Sequence, residues 1–315
     1  MKYCFGVDIG GTTVKIGLFD VDGNIIDKWE VVTRKENKGD NILPDVSDSI
    51  NNKLIEKGID KDDVIGIGTG IPAPINASGI VNGSANLGWG YKEVKKEFEE
   101  LTGLKVCTGN DANVAALGEM WKGSGNGASN MIMVTLGTGV GGGIIVDGKI
   151  LAGENGAGGE IGHICVNYSE EDTCGCGNKG CLEQYASATG IVRLAKRKLI
   201  NETRDTKLKN FENITAKDVF DSVKEKDEVA LEIAEEFGDY IGAGLSIVCA
   251  VADPSVIVIG GGVSKAGEVM LDYVREGFKK RCFFANNGVE FALASLGNDA
   301  GICGCAKLIL NTLLH

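Results

Sequence analysis

The sequence predicts an α/β fold made of two duplicated halves around a cleft, and three observations support it. Short apolar strand segments alternate with amphipathic helix segments along the chain. One pattern (strand, turn rich in glycine and threonine, strand, Asp-Gly turn, strand) occurs at residues 6–26 and again at 135–151. Glycine is abundant, with 47 residues among 315 against four prolines, and no collagen-like period accounts for it. The excess glycines therefore mark tight turns and backbone that approaches a ligand closely.

The first half opens with a three-stranded unit. Residues 4–11, 13–20 and 24–33 alternate apolar and polar side chains around an Asp-Gly turn, which predicts three antiparallel strands. The segments that follow are predicted, in order, as a helix at 41–57, a strand at 64–71, a helix at 92–103, a strand at 105–110 and a helix from Asp111.

The second half adds helices to the repeated strand pattern. The predicted elements after residue 151 are helices at 182–200, 216–224 and 228–252, a strand at 256–262, a helix at 266–281, a strand at 289–296 and a terminal helix from about Ala300. No low-complexity linker separates the halves, so we expect ordered segments to join them.

Composition and charge exclude several classes of protein. The net charge of −12 and the pI near 4.8 lack the basic footprint of a nucleic-acid-binding protein, so we expect no nucleic-acid partner. The longest apolar stretch, 241–252, is too short to span a bilayer, so we expect no membrane association. The N-terminus carries no signal-peptide core, and ten cysteines without one indicate reduced thiols or metal ligands. We therefore expect a cytoplasmic protein.

Three glycine-rich turns follow buried strands and are candidates for phosphate binding. Glycine leaves backbone N–H groups free to face phosphate oxygens, and threonine hydroxyls add donors. Asp8, just before the first turn, is placed to hold Mg²⁺ through water, although the turns also fit ordinary tight hairpins. The expected nucleotide-binding residues are Asp8, Gly10, Gly11, Thr12, Thr13 and Lys15 at the first turn, Gly137, Thr138 and Gly139 at the second, and Gly261 and Gly262 at the third.

Two common nucleotide-binding motifs are excluded. Gly137, Gly139 and Gly142 spell G-x-G-x-x-G, but a dinucleotide-binding turn leads into a helix, whereas a strand and a hairpin turn follow here. The P-loop pattern G-x-x-x-x-G-K-[ST] does not occur in the chain.

A cysteine cluster predicts a metal site. Cys174, Cys176 and Cys181 lie within eight residues with glycines between them, and His163 lies eleven residues before the first cysteine. Three thiolates and one imidazole suit a closed, tetrahedral, structural Zn²⁺ site. The alternative is a set of free thiols in a glycine-rich loop. The other seven cysteines occur in apolar runs and are predicted as small buried hydrophobic residues.

One acidic residue is a candidate general base. Asp111 lies in the segment Asn110-Asp111-Ala112-Asn113, where a strand passes into a helix. Phosphoryl transfer to a hydroxyl group needs a carboxylate that accepts the hydroxyl proton. The alternative is a helix N-cap, for which aspartate and asparagine are both preferred. A hydrolase that depends on histidine is disfavoured, because the chain has two histidines and the metal cluster takes His163.

Four segments resemble the motifs of the actin–hexokinase ATPase superfamily. The stretch GVDIGGTTVKIG resembles its first phosphate motif, LGTGVGGG the second, VIVIGGGVS the adenosine motif and LGNDAGICGCA the closing helix. The resemblance implies two ribonuclease H-like domains around the cleft. The smaller would comprise residues 1–117 and 300–315, and the larger residues 118–299, with a zinc-binding loop at 163–181.

The segments GGEIGHICV and CGCGNKGCLEQYAS resemble the signature of the ROK family of repressors and sugar kinases. This resemblance implies that His163 and the three clustered cysteines bind zinc, and that Asp111 is the catalytic base. It also implies a sugar site formed by Asn86, Asn110, Asp111, Glu160, His163 and Glu183.

The resemblance implies an ATP-dependent hexose kinase with ATP, Mg²⁺ and structural Zn²⁺ that phosphorylates the 6-hydroxyl of glucose. Fructose, N-acetylglucosamine, N-acetylmannosamine and allose remain alternative substrates, and polyphosphate an alternative donor. The family commonly forms dimers, so we expect a homo-oligomer. A repressor or sugar sensor without catalysis is a second hypothesis, which the acidic charge and the strand at the start of the chain disfavour. An actin-like or chaperone ATPase would lack the zinc cluster.

Overall fold

The computed structural model describes residues 1–313, which form α-helices and β-strands in alternation. The strands are β1 (Tyr3–Ile9), β2 (Thr13–Asp20), β3 (Ile25–Val32), β4 (Val64–Ile71), β5 (Ile80–Val81), β6 (Lys92–Glu93), β7 (Val106–Asn110), β8 (Met131–Leu136), β9 (Val140–Val146), β10 (Lys149–Ile150), β11 (Val256–Gly260) and β12 (Glu290–Leu293). The α-helices are α1 (Ile42–Lys57), α2 (Val94–Thr102), α3 (Asp111–Lys122), α4 (Glu183–Ala186), α5 (Ala188–Leu199), α6 (Ala216–Lys224), α7 (Glu228–Ala252), α8 (Glu268–Lys279) and α9 (Ala300–Leu313).

Two five-stranded sheets have the same topology. The first has the strand order β3-β2-β1-β4-β7 and the second the order β10-β9-β8-β11-β12. In each sheet the first three strands pair antiparallel. The fourth strand pairs parallel with the first, and the fifth pairs parallel with the fourth at the edge of the sheet. The duplication predicted from the repeated hairpin is therefore confirmed at the level of the whole sheet. The carboxyl ends of β1, β8 and β11 carry the three glycine-rich turns, and this edge is where open α/β sheets bind ligands.

Each sheet has its own hydrophobic core. Side chains of β1, β2 and β4 pack with α1 and α2, and those of β8, β9 and β11 pack with α4 to α8. The terminal helix α9 packs on the opposite face of the first sheet, where Ile302 and Ala306 contact Cys4 and Phe19. The last helix of the chain thus returns to the first sheet.

Helices α3 and α9 cross with their backbones in contact. A Cβ atom on Gly304 would lie 1.6 Å from the carbonyl oxygen of Val114, and one on Gly118 would lie 2.1 Å from that of Ala300. Strand β9 approaches α3 as closely from the other side, since a Cβ on Gly143 would lie 2.4 Å from the Ala116 Cβ. Helix α3 is therefore fixed between the two sheets by glycine contacts.

Several local expectations differ from the structure. The single helix predicted at 182–200 is two helices, because Ser187 is extended and its side chain caps α5 by accepting from the Gly190 N–H. The apolar residues of the helix predicted at 92–103, which are Val94, Phe98 and Leu101, are expected to share one buried face. Val94 and Phe98 are buried in α2, but Leu101 is 40% exposed. Of the seven cysteines expected to be buried, Cys107, Cys165 and Cys282 are only half-buried.

The division into domains stays a prediction. The boundary predicted after residue 117 falls inside α3, and residues 314–315 of the predicted C-terminal segment lie outside the described residues. None of the helices formed by residues 1–313 combines the length and apolarity that a membrane span needs.

The helix crossing predicts that a glycine-to-alanine substitution in α9 destabilises the protein, although alanine usually stabilises a helix. Alanine normally stabilises a helix interior relative to glycine by about 1 kcal/mol. We expect Gly304→Ala to lower the free energy of unfolding by about 3 kcal/mol or more, because its methyl group has no space against Val114. Urea unfolding measures this change. Gly288→Ala is the control, since a Cβ there meets no atom within 4 Å. Equal stability of both variants would show that the crossing adjusts freely.

Candidate active site

The predicted base lies where a strand passes directly into a helix. Strand β7 ends at Asn110 and α3 begins at Asp111. The Asn110 Oδ1 accepts hydrogen bonds from the N–H groups of Ala112 and Asn113 at 3.0 and 3.2 Å. The Asp111 Oδ1 accepts a 2.8 Å bond from the Ala112 N–H. The N-cap of α3 is therefore Asn110 and not Asp111, which is the first residue of the helix.

The surroundings of Asp111 raise its affinity for a proton. The side chain is half-buried, and this burial raises the pKa of Asp111 above its ordinary value. The hydrogen bond from the Ala112 N–H acts in the opposite direction, and the negative charge of Glu160 raises the pKa further. Asp111 is thus electrostatically coupled to a residue of the second half.

A second carboxylate lies close to Asp111. Asp8 is near the end of β1 and pairs across the sheet with Lys15 on β2. Burial raises the pKa of Asp8 to about 6, while Lys15 lowers it and the charge of Asp111 raises it. Gly301 of α9 makes room for this carboxylate, since a Cβ there would lie 2.4 Å from the Asp8 Oδ2. An oxygen donor of this kind suits a hard cation such as Mg²⁺.

The first glycine-rich turn lies beside a predicted sugar contact. Gly10, Gly11 and Thr12 connect β1 to β2, which begins at Thr13. A Cβ on Gly11 would lie 3.3 Å from the backbone oxygen of Asn86. The structure therefore brings Asn86 to the first turn, although Asn86 lies 75 positions after Gly11 in the chain.

The second turn, Gly137–Gly139, is in contact with a predicted sugar residue. The Glu183 Oε2 accepts a 3.0 Å hydrogen bond from the Val140 N–H, directly after the turn. A Cβ on Gly139 would lie 2.2 Å from the same oxygen, so glycine is required for this approach. Glu183 is the first residue of α4 and comes two residues after Cys181.

The third turn adjoins the second. Gly261 has φ +88°, and a Cβ there would lie 2.5 Å from the carbonyl oxygen of Leu136, which immediately precedes Gly137. Gly262 leads into the 3₁₀ turn Val263–Ala266. A cavity of about 340 Å³ lies between this 3₁₀ turn and α6 and is lined by Gly262, Val263, Ala188, Ala216 and Phe220, among others.

The segment that carries Glu160 and His163 is bound to α3. Glu160 precedes the 3₁₀ turn Ile161–His163. The Asn113 Nδ2 donates a 3.3 Å hydrogen bond to the carbonyl oxygen of Gly158. The helix that presents Asp111 thus also positions the two predicted sugar residues, which agrees with the electrostatic coupling of Asp111 to Glu160.

The predicted metal ligands form a cluster. One ligand atom from each of His163, Cys174, Cys176 and Cys181 lies within 4.8 Å of the other three. The Cys176 and Cys181 sulfurs are 3.6 Å apart, and the Cys174 sulfur is 3.9 Å from the His163 Nδ1. Zinc–sulfur bonds of about 2.3 Å in a tetrahedron place two sulfurs roughly 3.8 Å apart, so these four residues fit a zinc ion. The Glu183 Oε1 is 3.8 Å from the Cys174 sulfur, so this carboxylate contacts both the cluster and the second turn.

The loop that carries the cysteines has a second anchor, which sequence reasoning missed. Glu170, whose side chain is 2% exposed, forms ion pairs with Arg193 and Arg197 of α5 and accepts a hydrogen bond from the Tyr185 hydroxyl. The Arg197 guanidinium, more than any other group, holds the pKa of Glu170 well below its usual range. The only local sign of this anchor in the sequence is the four-residue spacing of Arg193 and Arg197, which places both side chains on one face of α5.

The ion pairs of the buried Glu170 side chain predict that the stability of the fold decreases in acid. The pKa of Glu170 lies below its ordinary value of 4.5, so its ion pairs stabilise the fold above that pH and are lost as the pH falls. We expect Glu170→Gln to lower the free energy of unfolding at pH 7 by about 3 kcal/mol and to flatten its pH dependence below pH ~4.5. Thermal unfolding between pH 7 and 3 measures both effects. Glu171→Gln, at an exposed neighbour, is the control, and an equal effect of both variants would contradict the role of Glu170.

Comparison with known proteins identifies the family. Residues 4–312 match the sequence model of the ROK family. The chain is 42% identical to a glucokinase of Halalkalibacterium halodurans over 98% of this chain and 95% of that one. It is 31% identical to a xylose repressor of Caldicellulosiruptor bescii over 98% of this chain and 78% of the repressor.

The fold also resembles a solved structure with bound ligands, a ROK family glucokinase of Streptomyces griseus in complex with glucose and AMPPNP. The TM-score is 0.72 and the identity 34%, with 97% of this chain and 98% of that chain covered. The resemblance seen in the cysteine-rich signature is confirmed, and the chain belongs to the ROK family.

Proposed function

We propose that the chain is an ATP-dependent hexose kinase, a glucokinase, that phosphorylates the 6-hydroxyl of glucose. The observation that carries this proposal is the position of Asp111. Its Cα would lie 3.7 Å from a Cβ on Gly70, which pairs with Asp8 in the first sheet. Asn113 of the same helix binds the segment that leads to Glu160. A base between a phosphate site and a polar sugar site is what hydroxyl phosphorylation requires. The full-length similarity to a glucokinase, and to a glucokinase with bound glucose and AMPPNP, supports the same function.

Asp111 would act as the general base. A carboxylate whose pKa is raised by burial takes a hydroxyl proton more readily than an exposed one. Its place at the start of α3, which both sheets hold, fixes the carboxylate before the sugar arrives. Asn110 caps the same helix by accepting hydrogen bonds from two N–H groups of its first turn.

The nucleotide would lie along the three glycine-rich turns. Gly10, Gly11, Thr12 and Thr13, with Lys15 nearby, would contact phosphate oxygens from the first half, and Gly137, Thr138 and Gly139 from the second. Gly262 borders the cavity beside α6, which has room for the adenine ring, and Gly261 directly precedes it. Asp8 would hold Mg²⁺, which neutralises charge on the phosphate oxygens when it is bound.

The sugar would be held by polar groups from both halves. Glu160 and Glu183 can accept hydrogen bonds from sugar hydroxyls, and Asn86 and Asn110 can both donate and accept. The His163 Nδ1 faces the cysteine cluster, so with zinc bound there the Nε2 carries the proton and can donate to a hydroxyl. Zinc would have a structural role, with four protein ligands and no open position.

A sugar sensor without catalysis is the second candidate, favoured by the similarity to a xylose repressor. A kinase assay with a panel of hexoses, and with ATP and polyphosphate as donors, separates the two candidates and identifies both substrates. The homodimer, the cytoplasmic location and the two-domain division with a closing cleft are part of the proposal and await their own tests.

Replacing the base tests the mechanism. We expect Asp111→Asn to lower kcat by a factor on the order of 10²–10⁴ with little change in glucose affinity, because the amide cannot accept the hydroxyl proton. Steady-state kinetics and calorimetric glucose binding measure the two effects. Asp22→Asn, at an exposed turn, should have wild-type activity. An Asp111→Asn enzyme within a few fold of wild type would rule out this base.

Removing a metal ligand tests the link between zinc and sugar. We expect about one zinc per native chain, and we expect Cys176→Ser to lose it and to raise the KM for glucose roughly tenfold, because His163 and Glu183 lose their support. The KM for ATP should change less. Metal analysis and kinetics are the measurements, with Cys282→Ser, outside the cluster, as the control. Native protein without zinc, or a metal-free Cys176→Ser enzyme with full activity, would contradict the prediction.

A further inference from the structure

The first glycine-rich turn is held from behind by a residue outside the motif. The Thr33 hydroxyl donates a 2.7 Å hydrogen bond to the carbonyl oxygen of Gly10, and the Thr33 N–H donates a 2.9 Å bond to that of Thr12. Thr33 directly follows β3 and is only 6% exposed. One buried residue thus binds two carbonyl groups of the turn.

The second turn receives contacts of the same kind from a different element, although Thr189 is exposed where Thr33 is buried. The Thr189 hydroxyl donates a 2.9 Å hydrogen bond to the carbonyl oxygen of Thr138, and the Ala188 N–H donates a 2.8 Å bond to that of Gly137. Ala188 and Thr189 are the first residues of α5. The strand pattern is duplicated, but the supports are not, since one comes from β3 and the other from a helix.

These contacts determine where the amide groups of the turns point. The peptide bonds are trans, so the C=O and N–H of one peptide unit point in opposite directions. Fixing the Gly10 and Thr138 carbonyls toward their threonines therefore directs the N–H groups of Gly11 and Gly139 away from them. The Ala188 N–H fixes the Gly137 carbonyl, so the Thr138 N–H of the same peptide unit points away from Ala188. Within residues 1–313, none of these three N–H groups has an acceptor.

We propose that Thr33 and Thr189 are positioning residues that direct the amide N–H groups of the two turns toward phosphate oxygens. The inference rests on the proposed function, because it takes the turns as the phosphate site. Glycine-rich turns have many accessible conformations, including those that point a carbonyl oxygen at the anion. Each threonine excludes those conformations by binding the carbonyl on the other side. The donors are then oriented before the nucleotide binds, which is the arrangement that stabilises anionic groups best.

A purely structural role for the two threonines makes a different prediction. If they only stabilised the local loop, removing a hydroxyl would affect every ligand of the cleft and the overall stability. If they position N–H groups, the loss is restricted to ligands that carry phosphates. Comparing AMPPNP with adenosine separates the two roles, because they share the base and ribose but differ in the phosphate groups.

The experiment uses Thr33→Val and Thr189→Val, which remove the hydroxyl at nearly constant shape, and Thr33→Ser and Thr189→Ser, which keep it. Thr312→Val is the matched control, because the Thr312 hydroxyl also donates to a carbonyl, that of Leu308, but within α9. We expect each valine variant to bind AMPPNP about three- to tenfold more weakly by calorimetry, with adenosine and glucose binding unchanged. The serine variants should bind AMPPNP as the wild type does.

Three results would overturn the inference. These are unchanged AMPPNP affinity in both valine variants, an equal loss of adenosine affinity, or serine variants as weak as the valine ones. The outcome for the proposed function is separate. A wild-type protein that binds AMPPNP but phosphorylates no hexose would contradict the kinase and leave the inference intact, whereas failure to bind AMPPNP would contradict both.

Discussion

The close packing of α3 against both sheets is the constraint on which the rest of the site depends. Gly118 and Gly304 bring α9 to one side of this helix, and Gly143 brings β9 to the other. The contacts with α9 are backbone against backbone and the one with β9 meets the Ala116 Cβ, so side-chain rotamer changes cannot loosen any of them. Asp111 extends from the first residue of this helix, so its position is set by the framework of both halves and not by a surface loop.

The loop that carries the cysteine cluster adds a second rigid unit beside the predicted sugar residues. Its cysteines and His163 converge at one point, while Glu170 attaches the same loop to α5 through buried ion pairs. Glu183 lies between these anchors and contacts both the Cys174 sulfur and the Val140 N–H. Contacts of this kind around a metal cluster are what orient neighbouring side chains. The cysteine cluster and the predicted sugar residues His163 and Glu183 are therefore connected to the second turn.

The features predicted correctly from the sequence are those encoded by short segments. Strand periodicity and Asp-Gly turns identify the repeated hairpins, and the spacing of Cys174, Cys176 and Cys181 identifies the metal cluster, because in each case the interacting residues are near neighbours in the chain. The break at Ser187 was missed because serine fits both a helix interior and a cap, and its hydrogen bonds decide between them.

The supports of the turns had no local signal at all. Thr33 binds Gly10 from 23 residues away, and Thr189 binds Thr138 from 51 residues away. Neither threonine belongs to a glycine-rich motif, and a threonine after a strand or at the start of a helix is common in any fold. Only the tertiary structure, which brings β3 and α5 behind the two turns, shows what they contact.

Because the two turns are supported by different elements, a change at the cysteine cluster affects them unequally. The first turn is bound by Thr33, which follows the edge strand β3 of the first sheet. The cysteine-rich loop contributes no strand to this sheet. The second turn is braced by the segment 183–189, which continues directly from the last cysteine ligand. Oxidation of the clustered thiols would therefore disturb the second glycine-rich turn and leave the first unchanged. The two sheets share one strand order, but only the second glycine-rich turn depends on contacts next to the cysteine cluster.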